Sequence, residues 1–199
     1  MNCNLIIFTK PYNSSEAKTR LRKAGLTDKF VNQLHNKLLS HTLSVAESFN
    51  ASSSTVYWHS NPKLNADTEN EQHLPKNFEY SLQVGNDFNS RLQNSWDTTI
   101  SNNPYPTMLI GSDCPGISLK VLNEAKSILM SGKACIGPTP DNGFYLIGLP
   151  SNSLNINFET IIYSKNQVEA ACKLTLSEMQ ILNILRDIDE PRDIIECLF

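Results

Sequence analysis

The feature that most constrains the fold is an alternation of short apolar runs with longer segments of helical periodicity. Residues 5–8 are continuously apolar, which is typical of a strand buried on both faces. Thr27 is suited to cap a helix, and after it apolar residues recur at helical spacing as far as Phe49. Consecutive strand–helix units of this kind predict an α/β fold with a mostly parallel sheet. Further strands are predicted at residues 55–59, 80–84 and 107–111, with a loop at residues 60–77 and helices that begin near Asn86 and near Val121.

The pattern changes in the last third of the chain. Two apolar runs, residues 134–137 and 144–149, are separated by a short segment rich in proline and glycine. Because this segment is too short for a crossover helix, at least one of the two strands is expected to run antiparallel. A helix at residues 165–176, a strand at residues 180–185 and a short helix after Pro191 complete the prediction. The 199 residues are therefore expected to form one domain with a mixed sheet.

Composition excludes several classes of protein. The chain has 17 basic and 20 acidic residues and a net charge of −3, which argues against a protein dedicated to binding nucleic acid. Its hydrophobic fraction of 40% is too high for a disordered chain. Five scattered cysteines without a Cys-x-x-Cys pair indicate reduced thiols rather than disulfides or a zinc site. No apolar run is long enough for a secretory signal or a membrane span, so the sequence predicts a cytoplasmic protein.

The loop that follows the first predicted strand is basic. Five of the 17 basic residues fall within residues 9–23, and Lys10, Lys18 and Arg20 are among them. Lysine and arginine at the carboxyl end of a strand are suited to bind phosphate oxygens. The loop lacks the glycines of a Walker loop or of a dinucleotide-binding fingerprint, which argues against a dinucleotide oxidoreductase. A solvated basic loop without a ligand is the alternative interpretation.

Carboxylates follow other strands of the predicted sheet. Asp113 comes directly after the strand at residues 107–111, and such a residue is suited to bind Mg²⁺ or to form a turn. Asp141 opens an Asp-Asn-Gly turn. Strand alternation places Asp187 and Asp189 on the same side, and Asp189 is also a candidate helix cap before Pro191. Together with the basic loop, these residues predict a site for Mg²⁺ and a polyphosphate.

Several ordered motifs in the chain resemble those of GT-A-like nucleotide-diphospho-sugar transferases. The resemblance is to the group designated DUF2064, or selenodomain-associated transferases, which is related to the guanylyltransferases of molybdenum-cofactor and 2-phospho-lactate metabolism. The motifs lie at residues 8–10, 18–21, 83–91, 111–115, 137–149, 163–164 and 187–193. Three positions depart from the family pattern: Ser15 and Asn142 stand where glycines are usual, and Phe88 stands in place of leucine.

The resemblance implies a three-layer α/β sandwich with a mixed, mostly parallel central sheet. It also implies a bound Mg²⁺ or Mn²⁺, with Asp113 and Asp189 as ligands and Asp187 as a further candidate. The implied catalytic residues are Lys18, Arg20, Asp113 and Asp141. The implied nucleotide-binding residues are Phe8, Lys10, Lys18, Arg20, Gly85, Asp87 and Arg91. The implied substrate-binding residues are Asp141, Asn142, Gly143 and Tyr163.

The expected partners are a nucleotide or nucleotide-sugar and a small acceptor of unknown identity, and the oligomeric state stays open. The family resemblance favours transfer of a sugar from a nucleotide-diphospho-sugar. The basic loop after the first strand favours a triphosphate instead, and hence nucleotidyl transfer with release of pyrophosphate. A third alternative is a nucleotide-binding protein without catalysis, to which the departures at Ser15 and Asn142 point.

Overall fold

A seven-stranded sheet stands at the centre of the structure, a computed structural model that describes residues 2–60, 74–175 and 178–196. The strands are β1 (Asn4–Thr9), β2 (Ser53–Trp58), β3 (Glu79–Leu82), β4 (Thr107–Gly111), β5 (Ala134–Pro138), β6 (Phe144–Leu149) and β7 (Met179–Ile181). The helices are α1 (Thr19–Lys23), α2 (Asp28–Phe49), α3 (Phe88–Asn102), α4 (Leu119–Met130), α5 (Phe158–Ile162), α6 (Gln167–Leu174) and α7 (Pro191–Glu196).

The sheet is mixed and mostly parallel, which confirms the predicted fold class. Its strand order is β3-β2-β1-β4-β6-β5-β7. Parallel pairs join β1 to β2 and to β4, β2 to β3, and β5 to β7. Strand β6 is antiparallel to both of its neighbours, β4 and β5. The predicted reversal is therefore confirmed, and its cause is the short connection between β5 and β6.

Helices cover both faces of the sheet, so the domain has three layers. Leu5 and Ile7 of β1 pack in one hydrophobic cluster with residues of α2 and α4. Ile6 of the same strand packs in a second cluster with Trp96 of α3 and Phe158 of α5. Because all three β1 residues are fully buried, the strand has apolar neighbours above and below it. This agrees with the continuous apolar run from which the strand was predicted.

Two helices start where local side-chain chemistry predicts. The Thr27 hydroxyl accepts a hydrogen bond from the Phe30 amide at 3.3 Å, so Thr27 is the N-cap of α2 as expected. At the start of α3, the Asp87 carboxylate accepts a hydrogen bond from the Ser90 amide at 2.8 Å and forms a capping box. These caps fix the points at which the chain leaves the sheet region and enters each helix.

Three parts of the chain differ from the prediction. Helix α1 lies in the segment that was expected to be a loop, and α5 was not predicted, because helices this short show too few turns to reveal a period. Strand β7 ends at Ile181, whereas the prediction continued it to residue 185. Most of the predicted loop at residues 60–77 lies outside the described residues. In the part of the chain that is described, no helix is long and apolar enough to cross a membrane.

The glycine at position 137 is expected to be essential for the packing of β5. A Cβ atom at Gly137 would lie 2.2 Å from Cζ of Tyr145, whereas a Cβ at Gly111 of β4 would have no neighbour within 4 Å. We expect Gly137→Ala to lower the free energy of unfolding by about 1–3 kcal/mol, because the buried ring must move. Gly111→Ala is the matched control, and its free energy of unfolding should fall clearly less. Urea denaturation measures both, and equal losses would contradict the packing argument.

Candidate functional site

Two clefts meet at the carboxyl ends of β1 and β4. The chain leaves β1 toward β2 on one side and later returns to place β4 on the other, so a crevice opens between the two strand ends. The Thr9 and Ser112 hydroxyls, one from each strand end, are hydrogen-bonded at 2.6 Å across it. Ligands of open α/β sheets bind at such a position. The geometry of the sheet therefore places the candidate site here.

The basic cleft has a volume of about 330 Å³. It is lined by Phe8, Thr9, Lys10, Ala17, Lys18, Thr19, Arg20, His35, His59, Gln83, Phe88, Arg91, Ser112, Asp113 and Asp189. The acidic cleft has a volume of about 390 Å³. Its lining includes four carboxylates, which are Asp113, Asp141, Asp187 and Asp189. The two clefts share Phe8, Arg20, Phe88, Asp113 and Asp189, so they are adjacent.

Lys18 lines the basic cleft and contacts two carboxylates that both clefts share. Its Nζ atom is 2.6 Å from Oδ1 of Asp113 and 3.2 Å from Oδ1 of Asp189. The Lys18 side chain is only 2% exposed, while those of Asp113 and Asp189 are 45% and 39% exposed. Arg20 approaches Asp189 from the solvent side at 3.7 Å. The ammonium is thus enclosed, and both of its carboxylate partners can be reached from the clefts.

The charge of this cluster follows from its contacts. Burial alone would lower the pKa of Lys18, but the carboxylates of Asp113 and Asp189 outweigh it and raise that pKa above its usual value. Burial would likewise raise the pKa of Asp113, and the ion pair and hydrogen bond from Lys18 reverse this, so the pKa is lowered. Lys18 and Asp113 are therefore a charged pair.

The acidic cleft adds two further carboxylates, Asp141 and Asp187, to Asp113 and Asp189. Burial, followed by the nearby charges of Asp141 and Asp189, raises the pKa of Asp187 to about 6. The Asp141 carboxylate accepts a hydrogen bond from the Gly143 amide at 3.1 Å and another from the Thr139 hydroxyl. Asp141 is therefore held by its own turn, while Asp187 lies in a concentration of negative charge.

The backbone of the loop explains how Lys18 reaches the carboxylates. Lys18 adopts a left-handed conformation, with φ 53° and ψ 44°, immediately before α1. Asn13, with φ 56°, is the other left-handed residue of this loop, and Ser15 is outside that region. The serine that departs from the family pattern therefore does not need the freedom of glycine here. Asn142 does adopt a left-handed conformation, with φ 68°, which asparagine tolerates better than most residues.

The carboxyl-terminal segment is fixed by Asp193 rather than by Asp189. The Asp193 carboxylate accepts hydrogen bonds from the amides of Asp189 at 3.1 Å and Glu190 at 2.7 Å, so it caps the start of α7 from within the helix. The interpretation of Asp189 as the cap is thus wrong, and its carboxylate faces Lys18 instead. The Ile188 amide also donates to the Asp113 carbonyl at 2.9 Å. These bonds hold Asp189 beside Asp113.

The wall of the basic cleft includes residues that the sequence did not single out as site residues. The side-chain amide of Gln83 donates hydrogen bonds to the carbonyls of Thr9 and Tyr57, at 3.0 and 2.9 Å. These bonds tie the β3–α3 connection to two strand ends. Gln83 Oε1 and Arg91 Nε are buried and have no hydrogen-bond partner among the described residues. Gln83 is the first residue of the motif at residues 83–91, and this position was the sequence signal for its place in the site.

His35 of α2, which is not among the predicted site residues, lies in the wall of the basic cleft. Its Nε2 atom lies 3.1 Å from the Pro11 carbonyl and 3.2 Å from that of Lys10. Because both partners are acceptors, Nε2 bears the proton. Burial is the main cause that lowers the pKa of His35. The signal available in the sequence was the position of this histidine on the apolar face of a predicted helix.

The structure brings together most of the predicted site residues. Those that line the basic cleft are Phe8, Lys10, Lys18, Arg20, Arg91, Asp113 and Asp189. Those that line the acidic cleft include Asp141, Gly143 and Asp187. Four others lie outside these linings: Gly85 packs against the start of α3, Asn142 forms the turn before β6, and Asp87 and Tyr163 line a separate groove of about 480 Å³.

The carboxylates on either side of Lys18 are a donor set that fits a divalent cation of the Mg²⁺ type. Asp113 and Asp189 offer oxygen ligands, and Mg²⁺ in proteins is usually held by one or two carboxylates while substrate phosphates and waters complete its shell. Among the described residues, no group of three or more histidine, cysteine or acidic side chains is arranged to hold a metal ion.

Comparison with protein-family models identifies a family. The model of DUF2064, described as an uncharacterized protein conserved in bacteria, matches residues 42–165. This covers more than half of the chain and includes β2 to β6. The search of curated proteins gave no match.

Solved structures share the fold. A protein of Desulfovibrio desulfuricans G20, described as a nucleotide-diphospho-sugar transferase, superposes with a TM-score of 0.80 at 21% identity, over 98% of this chain and 85% of its own. The manganese complex of Rv0371c from Mycobacterium tuberculosis H37Rv has a TM-score of 0.60 at 12% identity, and the match covers 100% of this chain and 98% of that protein. A nucleotidyl transferase of Methanothermobacter thermautotrophicus has a TM-score of 0.62 at 11% identity, and the match covers 98% of this chain and 95% of that protein. These likenesses show that the fold is that of nucleotide-diphospho-sugar transferases.

Replacing Asp193 should destabilise the protein in a pH-dependent way. Burial would raise the pKa of Asp193, but the amides of Glu190 and Asp189 and then Arg186 outweigh it, so the pKa is lowered. The carboxylate therefore contributes stability above its unfolded pKa of about 3.9, and this is lost as the pH falls through the folded value. We expect Asp193→Asn to cost about 1–3 kcal/mol near pH 7 and almost nothing at the lowest pH that the fold tolerates.

Urea denaturation between about pH 7 and pH 3 measures this difference. Asp97→Asn, at an exposed position of α3, is the matched control and should change the free energy of unfolding by less than about 0.5 kcal/mol. A cost for Asp193→Asn that does not change with pH would contradict the proposed role of its charge.

Proposed function

The chain belongs to the DUF2064 family of proteins conserved in bacteria, and from this premise we propose that it is a transferase that acts on a nucleotide or a nucleotide-sugar with the help of Mg²⁺ or Mn²⁺. The reaction we propose is sugar transfer from a nucleotide-diphospho-sugar to a small acceptor. One observation carries the proposal: a basic cleft and an acidic cleft share Asp113 and Asp189, and Lys18 of the basic cleft contacts both carboxylates.

The basic cleft is suited to the nucleotide. Lys10, Lys18, Arg20 and Arg91 supply cationic groups to one enclosed space, and such groups bind phosphate oxygens. Phe8 and Phe88 form an edge-to-face pair with ring centroids 5.6 Å apart in the same wall, where a base or ribose could pack. Gly85 and Asp87 would act indirectly, because they shape the start of the helix that carries Arg91.

Asp113 and Asp189 would hold the metal ion, with Asp187 as the neighbouring candidate. A bound cation supplies positive charge that neutralises the departing phosphate. Lys18 and Arg20 lie beside the same carboxylates and would bind the phosphates from the protein side. Assigning the metal ion to the carboxylates and the phosphates to the basic residues is physically consistent, because carboxylates repel phosphate unless cations lie between them.

The acidic cleft would receive the acceptor and the sugar. Asp141 and Gly143 line it, and the Asp141 carboxylate is placed by its turn to accept a hydrogen bond from a hydroxyl group. In the proposed reaction the acceptor oxygen forms a bond to the anomeric carbon. The bond from that carbon to the phosphate oxygen breaks, the nucleoside diphosphate leaves, and the acceptor proton passes to a base such as Asp141. Asn142 supports this turn, while Tyr163 borders the neighbouring groove.

The relatives support both candidate reactions. The neighbour with a TM-score of 0.80 is described as a nucleotide-diphospho-sugar transferase, which favours sugar transfer. A nucleotidyl transferase shares the fold at a TM-score of 0.62, and the four cationic side chains of the basic cleft would also suit a triphosphate. In that second reaction an acceptor phosphate attacks the α-phosphorus and pyrophosphate leaves. The manganese complex of Rv0371c supports a divalent cation.

Nucleotide binding should depend on the metal ion and on Asp113. In a thermal-shift panel of nucleoside triphosphates and nucleotide-sugars with Mg²⁺ or Mn²⁺, we expect at least one to raise the melting temperature, since a ligand at about 100 times its Kd stabilises the native state by about 2.7 kcal/mol. Asp113→Asn should abolish the part of the shift that needs the metal, whereas Asp97→Asn should keep it. A panel without any shift would contradict the proposed function.

The released product distinguishes the two reactions. With a nucleotide-sugar that binds, we expect release of a nucleoside diphosphate and no pyrophosphate, measured by chromatography of the products. Asp141→Asn should lower kcat about a hundredfold, the usual contribution of a general base, and leave the nucleotide affinity nearly unchanged because Asp141 lies outside the basic cleft. Pyrophosphate release from a triphosphate would instead establish nucleotidyl transfer.

A further inference from the structure

The ammonium group of Lys18 occupies the space between the two proposed metal ligands. It makes contacts of 2.6 Å to Asp113 and 3.2 Å to Asp189, and the side chain is 2% exposed. The other cations of the basic cleft are placed differently. Lys10 donates to the Glu16 carbonyl, and Arg20 is 64% exposed and reaches Asp189 at 3.7 Å. Lys18 is thus the cation that both carboxylates enclose.

We propose that Lys18 is an internal cation that competes with the divalent metal ion for Asp113 and Asp189. The inference rests on the proposed function, because that function assigns the metal to these two carboxylates. A metal ion that binds both of them would meet the ammonium at contact distance, and two cations this close repel each other. The metal can therefore bind only when Lys18 gives up its carboxylate contacts.

Displacement of Lys18 in the free protein is unfavourable for a second reason. A buried ammonium that loses its partners keeps the cost of having left water. A phosphate group in the basic cleft offers Lys18 new oxygen partners, and the flexible four-carbon stem allows the ammonium to turn toward them. The free protein is therefore expected to bind metal weakly, and phosphate-bearing ligands are expected to favour metal binding.

The test measures Mn²⁺ alone, without any nucleotide, by the electron paramagnetic resonance signal of the free ion. Lys18→Met should bind Mn²⁺ at least about tenfold more tightly than the wild-type protein, which corresponds to about 1.4 kcal/mol. Lys10→Met is the matched control, because it removes the same charge from the same cleft without removing a contact to the two carboxylates. We expect that control to change the affinity by less than about threefold.

Two further variants locate the Mn²⁺ site and test whether the gain in affinity depends on the residue that replaces Lys18. Lys18→Met combined with Asp189→Asn should lose the gain in affinity, and Lys18→Gln should reproduce the gain of Lys18→Met. Circular dichroism melts establish that each variant is folded. If the wild-type protein binds Mn²⁺ as tightly as Lys18→Met, or if Lys10→Met gives an equal gain, the competition is refuted.

This result is distinguishable from failure of the proposed function. If Lys18→Met shows no gain while nucleotides still bind in a metal-dependent way, the transferase proposal stands and only the competition is overturned. If neither protein binds Mn²⁺ even with nucleotide present, the metal assignment itself fails and the inference fails with it.

Discussion

The rest of the structure depends on the burial of β1, an inner strand of the sheet, on both of its faces and along both of its edges. Leu5 and Ile7 need one helical layer to cover them and Ile6 needs another, so a three-layer arrangement follows from three consecutive apolar residues. Parallel pairing with β2 and β4 on opposite edges then places the ends of β1 and β4 side by side. The position of the candidate site is thus set by the sheet before any polar side chain contributes.

The polar residues add long-range connections at that position. Lys18 and Asp189 are 171 positions apart in sequence, and Asp113 comes from a third segment. A buried ammonium requires compensating charge, and in this conformation of the basic loop the two carboxylates supply it. The backbone bond from Ile188 to Asp113 ties the last two segments to each other as well. The loop, the β4 end and the carboxyl-terminal segment therefore form one mutually dependent unit.

The sequence is informative where structure is set by local periodicity and chemistry, as with the strand at residues 5–8, the Thr27 cap and the turn before β6. It is less informative where the decisive partner is distant. Lys18 was interpreted as a phosphate ligand, and nothing in its neighbourhood indicates that its contacts in the free protein are carboxylates. Asp189 resembled a helix cap, but Asp193 holds the amides that a cap would bind. Such competition between equivalent side chains is decided by tertiary packing and is invisible to spacing.

The charge of the chain has a similar local meaning. The net charge of −3 conceals a basic loop after β1 and an acidic segment before α7, which the fold brings into contact through Lys18 and Asp189. On the proposed function, each charged ligand meets a cleft of the opposite sign. The ion pairs of Lys18 and Arg20 with Asp113 and Asp189 neutralise part of both sets of charges. Binding of phosphate or metal must break some of these ion pairs, so each ligand lowers the electrostatic cost of binding the other, which is the condition for thermodynamic coupling between them.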